Sequence, residues 1–233
     1  MSESMMFNLA PSFIPLTGED RRFPVRRIYC VGRNYLDHIR EMGGDEREPP
    51  FFFQKPADAL VLDGACVPYP SATEDFQHEV ELVLAIGTRG RNIETGDAAR
   101  FVCAVGVGID LTRRDLQLKA RDRGRPWEPG KSFDHSAVCS ELLPWAAPHL
   151  PEHGLIELSV NDEVRQTADL GQLIWSCAEI VSQLSRQYLL MPGDLIYTGT
   201  PAGVGALRPG DQVVAEAQQI GSVRISIGEP AAG

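Results

Sequence analysis

Short apolar runs separated by turn residues follow one another along most of the chain. They lie at 27–31, 80–86, 102–111, 155–160 and 213–227. The first three are rich in Val, Ile and Leu, whereas the last two alternate between apolar and polar side chains, as strands with one buried face do. The pattern predicts a protein built mainly of short β-strands.

Helical spacing is rarer. Residues 170–190 carry one apolar stripe and predict the main helix, packed on the sheet. The polar segment 112–125 predicts a helix or an ordered loop, and Asn34 begins a short predicted helix that ends before Gly43. Residues 1–25 show no sustained period and predict an extension or a small edge element.

Size and composition favour a single enzyme-sized domain. The chain has 233 residues, of which 43% are hydrophobic, enough for a substantial core. Its 22 glycines and 17 prolines fit many short strands and turns better than a helical bundle. The predicted fold class is therefore α+β, rich in β-structure, with a few short helices.

The net charge and the cysteine content limit which binding partners and which cellular compartment we expect. A net charge of −10 argues against nucleic acid and anionic membranes as partners. No segment approaches the ~18 apolar residues of a membrane helix, and residues 1–16 lack the pattern of a signal peptide. The five cysteines are odd in number and scattered, so reduced core thiols are expected. These features predict a cytoplasmic protein.

Two acidic residues interrupt one of the most apolar runs. Glu79 and Glu81 are two positions apart, so on a strand both carboxylates point to the same face. A second apolar run brings a third hard oxygen ligand, Asp110. Mg²⁺, Mn²⁺ and Ca²⁺ prefer such ligands, and the three residues are predicted to form one metal site. The alternative is the solvated face of a half-buried sheet.

A glycine-rich loop at 198–205 follows a predicted strand. Such a loop can bring backbone N–H groups and the Thr200 hydroxyl close to an anionic ligand. It matches neither a Walker A motif nor a dinucleotide fingerprint, so it indicates little by itself.

Taken in order, the polar motifs of the chain resemble those of the fumarylacetoacetate hydrolase family, in particular its compact acylpyruvases and fumarylpyruvate hydrolases. The resemblance runs from about residue 26 to about residue 227. Its motifs are Gly32-Arg33-Asn34-Tyr35-x-x-His38, Lys55-Pro56, His78-Glu79-Val80-Glu81-Leu82, Asp110-Leu111-Thr112-x-Arg114-Asp115-x-Gln117, Gly130-Lys131-Ser132-Phe133, Gly193-Asp194 and Thr198-Gly199-Thr200-Pro201-x-Gly203-Val204-Gly205.

The resemblance implies a mixed β-sheet roll or sandwich of the fumarylacetoacetase C-terminal-domain type, usually a homodimer. It implies a catalytic domain over 26–228, after the N-terminal segment 1–25 and before a tail at 229–233. It also implies Mg²⁺ or Mn²⁺ held by Glu79, Glu81 and Asp110, in agreement with the prediction from strand periodicity.

The resemblance also assigns roles around the metal. His38 and Glu41 match a His-Glu pair on a short helix over the site, and Lys131 matches an active-site lysine. The residues matching the substrate pocket are Arg33, Arg114, Gln117 and Thr200.

These roles suggest hydrolysis of a 3-acylpyruvate. In this hypothesis the carboxylate and 2-oxo group of the substrate bind the cation, and His38, polarised by Glu41, takes a proton from the attacking water. Lys131 faces the oxyanion. The three phenylalanines at 51–53 and Arg125-Pro126-Trp127 look most similar to fumarylpyruvate hydrolases of gentisate-type aromatic catabolism, and this resemblance implies fumarylpyruvate as the substrate.

Three alternatives stay open. The same scaffold suits an oxaloacetate decarboxylase and an isomerase or decarboxylase of 2-hydroxy-diene-dioates, because these reactions also pass through an enolate. A homologue that binds metal or ligand without catalysis is the third alternative.

Overall fold

The computed structural model describes residues 6, 9–32, 34–35 and 48–230. Its strands, in chain order, are β1 (Phe13–Pro15), β2 (Arg22–Pro24), β3 (Arg27–Gly32), β4 (Phe51–Lys55), β5 (Leu60–Leu62), β6 (Cys66–Pro68), β7 (Phe76–His78), β8 (Val80–Ile86), β9 (Val102–Asp110), β10 (Thr112–Arg113), β11 (Ala137–Cys139), β12 (Leu143–Pro144), β13 (Leu155–Val160), β14 (Glu163–Asp169), β15 (Asp194–Tyr197), β16 (Gly205–Ala206), β17 (Gln212–Ala217) and β18 (Gly221–Gly228).

Helices are few and short in the described part of the chain. The α-helices are α1 (Arg114–Asp122), α2 (Glu128–Lys131) and α3 (Cys177–Gln187), and 3-10 turns lie at Ala57–Ala59, Thr95–Phe101 and Leu170–Gln172. None of these helices is both long and apolar enough to span a membrane.

Two large sheets form the body of the molecule. The first has the order β4-β3-β15-β8-β9-β11-β5, with β12 beside β9, and mixes parallel and antiparallel pairs. The second has the order β14-β13-β17-β18-β6. A small sheet, β10-β7-β16, lies beside the site described below. The α+β class, rich in β-structure, is confirmed.

The first sheet is buried on both faces, which explains its uninterrupted apolar runs. Leu82 and Leu84 of β8 join the larger core cluster with Leu158 of the second sheet and Leu184 of α3. Val83, on the opposite face of β8, joins a smaller cluster that contains Ile14 and Phe23 of the β1–β2 hairpin. The predicted edge element within residues 1–25 thus includes a hairpin that packs on the domain. The predicted domain boundaries stay predictions.

The main helix is shorter than the apolar stripe predicted. Its first turn is set by a capping box, in which the Ser176 hydroxyl accepts from Glu179 N and the Glu179 carboxylate accepts from Ser176 N. Leu173 and Ile174 therefore lie before the helix, where Ile174 N donates to the backbone oxygen of Asn34. The predicted helix over 112–125 appears as α1.

The strand that carries the acidic pair is broken at Glu79. The chain leaves the small sheet after His78 and enters the first large sheet at Val80, so Glu79 lies at a corner between β7 and β8. The two carboxylates converge because of this corner and not because of strict alternation on one continuous strand.

Candidate active site

Three carboxylates converge at the junction of the sheets. Glu79 lies between β7 and β8, Glu81 lies on β8, and Asp110 ends β9, where its backbone N–H donates to the Glu79 carbonyl at 2.8 Å. One carboxylate oxygen from each residue lies within 4.8 Å of the others, and all three residues are buried. The structure therefore brings together the three residues predicted as metal ligands.

Two buried lysines face these carboxylates. The Lys131 ammonium donates to Glu79 Oε2 at 2.7 Å, to Asp110 Oδ2 at 2.8 Å and to the Thr112 hydroxyl at 2.7 Å. Lys55 Nζ lies 2.8 Å from Asp110 Oδ1 and also donates to the Leu111 carbonyl. Each oxygen of Asp110 thus has its own ammonium partner.

Arg114 is bound into the same network from α1. Its Nη2 donates to Glu79 Oε1, its Nε donates to Gln77 Oε1 at 2.8 Å, and its Nη1 donates to Gln117 Oε1 at 2.5 Å. In the described residues the guanidinium therefore orients a carboxylate of the triad, and its predicted substrate contact stays a prediction.

Burial and like charge shape the ionisation of the site. Burial raises the pKa of Glu81 well above its ordinary value, and the charges of Asp110 and Glu79 raise it further, against the opposing hydrogen bond from Gly199 N. Burial lowers the pKa of Lys131, but Asp110 and Glu79 outweigh it, so the net shift is upward. Lys131 stays an ammonium.

The donor set fits a hard divalent cation. Glu79, Glu81 and Asp110 all offer carboxylate oxygens, which Mg²⁺ and Mn²⁺ prefer, and the oxygens are close enough to share one ion. Each carboxylate is also held by a protein donor: Arg114 and Lys131 hold Glu79, the two lysines hold Asp110, and Gly199 N donates to Glu81 at 2.6 Å. Such outer contacts orient metal ligands.

A pocket opens over the triad. Besides the charged residues, its wall includes Phe53, Gln117, Trp127 and Thr200. Trp127 packs between Phe51 and Phe53, with ring centroids 5.0 and 6.0 Å away. One side of the pocket is therefore aromatic and the other side is ionic.

Three predicted site residues, Arg33, His38 and Glu41, lie outside the described residues. Their predicted roles stay predictions. Lys131, Arg114, Gln117 and Thr200 do line the pocket together with Glu79 and Glu81.

Sequence reasoning assigned no role to Lys55, Thr112 or Gln166. Only the structure shows that Lys55 is buried and so needs a negative partner; its sequence signal was its place at the end of an aromatic strand. Gln166 carried none, since the residues around it on β14 are mostly polar and exposed. Its contacts with His78 and Thr200 became visible only in three dimensions.

Comparison with known proteins gives one consistent result. Residues 27–227 match the family model described as fumarylacetoacetate (FAA) hydrolase C-terminal. A fumarylpyruvate hydrolase from Ralstonia sp is 44% identical over 78% of this chain and 94% of its own length. The oxaloacetate tautomerase of Escherichia coli is 38% identical over 82% of this chain and 88% of its own length.

Solved structures agree with the sequence matches. Fumarylpyruvate hydrolase from Pseudomonas aeruginosa, solved in complex with Mn²⁺ and pyruvate, superposes with a TM-score of 0.94 at 48% identity and covers 97% of this chain and 100% of that one. Because the family model and the relatives both extend over most of the chain, this protein belongs to the fumarylacetoacetate hydrolase family.

Proposed function

We propose that this protein is a metal-dependent hydrolase that cleaves a carbon–carbon bond of a 3-acylpyruvate, with fumarylpyruvate as substrate and fumarate and pyruvate as products. The supporting observation is a buried carboxylate triad in a chain 48% identical to a fumarylpyruvate hydrolase solved with Mn²⁺ and pyruvate. Gentisate-type aromatic catabolism is the context in which such a substrate arises.

The reaction adds water across the bond between C3 and C4 of the substrate. The hydroxyl of water ends on C4 and becomes part of the fumarate carboxylate, and the C3–C4 electron pair takes a proton to form the pyruvate methyl group. The site must therefore activate water, bind an acid at one end and stabilise negative charge on the 2-oxo group.

Glu79, Glu81 and Asp110 are the residues proposed to hold Mg²⁺ or Mn²⁺. A bound divalent cation supplies positive charge that polarises the 2-oxo group and favours the enolate. Lys55 and Lys131 keep Asp110 oriented through one ammonium on each carboxylate oxygen.

Lys131 also faces the pocket and is proposed to stabilise the oxyanion at the attacked C4 carbonyl. In the described structure its three N–H groups already donate to Glu79, Asp110 and Thr112. The ammonium can thus reach the oxyanion only by releasing one of these bonds.

The carboxylate end of the substrate is proposed to contact Thr200, Gln117, Arg114 and Arg33. Thr200 and Gln117 offer neutral hydrogen-bond donors, and Arg114 adds positive charge from α1. Phe53 and Trp127 border the same pocket and suit the flat, conjugated fumaryl group.

His38, polarised by Glu41, is proposed as the general base that takes a proton from water. This assistance is typically worth about 100-fold to 10,000-fold in rate, so His38→Ala should lower kcat by that amount. Mn²⁺ affinity should stay unchanged, because His38 is not in the carboxylate triad. His149→Ala, at an exposed histidine away from the pocket, is the matched control.

Loss of the ultraviolet absorbance of the fumarylpyruvate enol, followed with and without Mn²⁺, tests the proposal. We expect cleavage that a chelator abolishes and Mn²⁺ restores, with fumarylpyruvate preferred over acetylpyruvate, fumarylacetoacetate and oxaloacetate. If no member of this panel changes in a metal-dependent way, the protein is a ligand-binding homologue and the hydrolase proposal is wrong.

A second candidate is chemistry on oxaloacetate, as a tautomerase or decarboxylase. The identity of 38% with the Escherichia coli oxaloacetate tautomerase favours it, because the same enolate would form on the same triad. Only hydrolysis needs the water-activating pair, so His38→Ala should slow fumarylpyruvate cleavage by the same factor of about 100 to 10,000 and spare reactions of oxaloacetate. Equal loss of both would remove this distinction.

We further propose that the protein is a cytoplasmic homodimer. The five cysteines are all unpaired, which suits a reducing compartment. Analytical ultracentrifugation should give twice the 25.6 kDa mass of one chain. A monomer at micromolar concentration would contradict the dimer, and recovery in the periplasmic fraction of a bacterial host would contradict the location.

A further inference from the structure

One strand at the edge of the second sheet buries a polar side chain. Along β14 the residues are exposed or half-buried except Gln166, which is 1% exposed. A buried glutamine in such a strand is costly unless its amide finds partners. Its position therefore calls for a specific role.

A β-bulge directs this side chain inward. Leu158 of β13 pairs with Gln166 and Ser159 pairs with Val164, so Arg165 is the extra residue of the bulge. The glycine-rich loop packs closely on the bulge: a Cβ at Gly203 would lie only 2.1 Å from the Arg165 carbonyl oxygen. The bulge and the glycine together bring Gln166 next to Thr200.

Two backbone groups fix which way the amide points. Gln166 Oε1 accepts from Val80 N, which can only donate, and Gln166 Nε2 donates to the Pro201 carbonyl, which can only accept. The remaining two bonds then have a defined direction. His78 Nδ1 donates to Oε1 at 2.9 Å, and Nε2 donates to the Thr200 hydroxyl oxygen at 2.8 Å.

This direction matters for the pocket. Since Thr200 Oγ1 accepts from Gln166, its own hydrogen must be donated elsewhere, and no described residue accepts it. Gln117 is held in the same sense, because its Oε1 accepts from Arg114 and leaves its NH₂ group to donate. The Thr200 hydroxyl and the Gln117 amide therefore both present hydrogen-bond donors to the pocket.

We infer that Gln166 is a positioning residue that locks the Thr200 hydroxyl as a donor, so that the pocket selects a substrate end bearing only acceptor oxygens, such as the carboxylate of a 2-oxo acid. The inference deepens the proposed function and rests on it for the identity of the ligand. Gln166 itself is not among the described residues that line the pocket.

Pyruvate binding to the Mn²⁺-loaded protein, measured by water-proton relaxation, provides the test. Gln166→Glu places an acceptor where Nε2 was, so the Thr200 hydrogen turns away from the ligand. We expect the pyruvate Kd to rise about 10-fold to 100-fold, the usual value of a hydrogen bond to a charged group, with little change in Mn²⁺ affinity. Gln166→Met, which adds no charge, should give an intermediate increase.

The Thr200→Val background separates this role from a structural one. There the Gln166→Glu increase should shrink to about twofold, because the hydroxyl that carries the effect is absent. The same increase in both backgrounds would show a charge or packing effect and overturn the inference. Gln212→Glu, at an exposed glutamine of the same sheet, should leave the pyruvate Kd unchanged.

Wild-type protein offers a measurement that does not depend on a variant folding. Long-range ¹H–¹⁵N spectra at pH 8 should show His78 protonated at Nδ1, as the direction of the amide requires. A neutral ring protonated at Nε2 would mean the reverse orientation and overturn the inference. Protein that binds pyruvate but cleaves no acylpyruvate would contradict the proposed function alone.

Discussion

Ammonium groups decide the electrostatic balance of the pocket as much as the carboxylates do. Three buried acids would repel one another strongly at close range; Lys55, Lys131 and Arg114 offset the charges of Glu79 and Asp110, whereas Glu81 accepts a backbone hydrogen bond from Gly199. A divalent cation adds charge that this balance does not contain, so a substrate dianion is the natural complement. We therefore expect the site to bind a divalent cation and an acidic substrate together.

Lys131→Met tests this balance. Without metal, the variant should lose about 3–5 kcal/mol of unfolding free energy, because Glu79 and Asp110 lose a buried ion-pair partner. Added Mn²⁺ should raise its melting temperature more than that of wild type, since the cation replaces the missing charge. Calorimetry with and without Mn²⁺ measures both, and Lys119→Met on the exposed side of α1 is the control. An equal Mn²⁺ effect in all three proteins would contradict this view.

The cysteines differ sharply in expected reactivity. Burial raises the pKa of Cys139 and Cys177 to about 12, and it raises the pKa of Cys30 well above its ordinary value. Cys66 and Cys103 are exposed, although partial burial of the Cys103 thiol also raises its pKa. Maleimide labelling of the native protein at pH 8, read by mass spectrometry, should therefore modify Cys66 and Cys103 and spare the other three until the chain unfolds. Rapid native labelling of Cys139 would show that the core around β11 opens.

At the scale of elements, the glycine-rich loop is held in place by close backbone approach. Gly203 has φ +93° and contacts the β14 bulge, whereas Gly210 has φ +94° and open space, with no atom within 4 Å of the point that a Cβ would occupy. The two glycines thus share a positive φ, but only Gly203 has a close neighbour where a Cβ would lie. Substitutions at Gly203 and Gly210 therefore separate the effect of positive φ from the effect of the contact with β14.

Gly203→Ala should cost more than Gly210→Ala. Both substitutions place alanine at positive φ, which should lower the free energy of unfolding by about 1 kcal/mol or more. Only Gly203→Ala also forces the loop away from Arg165. We expect a lower urea midpoint and weaker pyruvate binding for Gly203→Ala, because Thr200 moves with the loop. Equal losses in both variants would mean that the contact with β14 does not position the loop.

At the scale of the whole molecule, metal and fold should be linked. If the triad binds Mn²⁺ only when the sheets are assembled, each tenfold increase of Mn²⁺ above its Kd adds about 1.4 kcal/mol to the unfolding free energy. Glu81→Gln should raise the Mn²⁺ Kd and so move the start of this increase to higher Mn²⁺ concentration, whereas Glu163→Gln, on the exposed end of β14, should not. Urea unfolding at graded Mn²⁺ concentrations measures where the increase begins, and an unchanged starting concentration in Glu81→Gln would remove that residue from the proposed ligand set.

The sequence by itself determined the β-rich class, the family and the acidic triad. Its apolar runs reveal buried strands because both faces of the first sheet are covered, and Glu79, Glu81 and Asp110 stand out as charges within such runs. These features depend on residues that are close together in the chain, so they can be recognised from the sequence alone. The family and the fold class are confirmed by the comparisons.

Only the tertiary structure decided how the triad is held and how the pocket is polarised. The corner at Glu79, the ammonium of Lys55 and the amide of Gln166 all depend on contacts between segments far apart in the chain. The pattern of apolar and polar residues does not predict such contacts, because the direction of a hydrogen bond depends on which backbone groups are close in the folded chain. The sequence showed the chemical type of each candidate residue, whereas the orientation of these side chains relative to one another was decided by the fold.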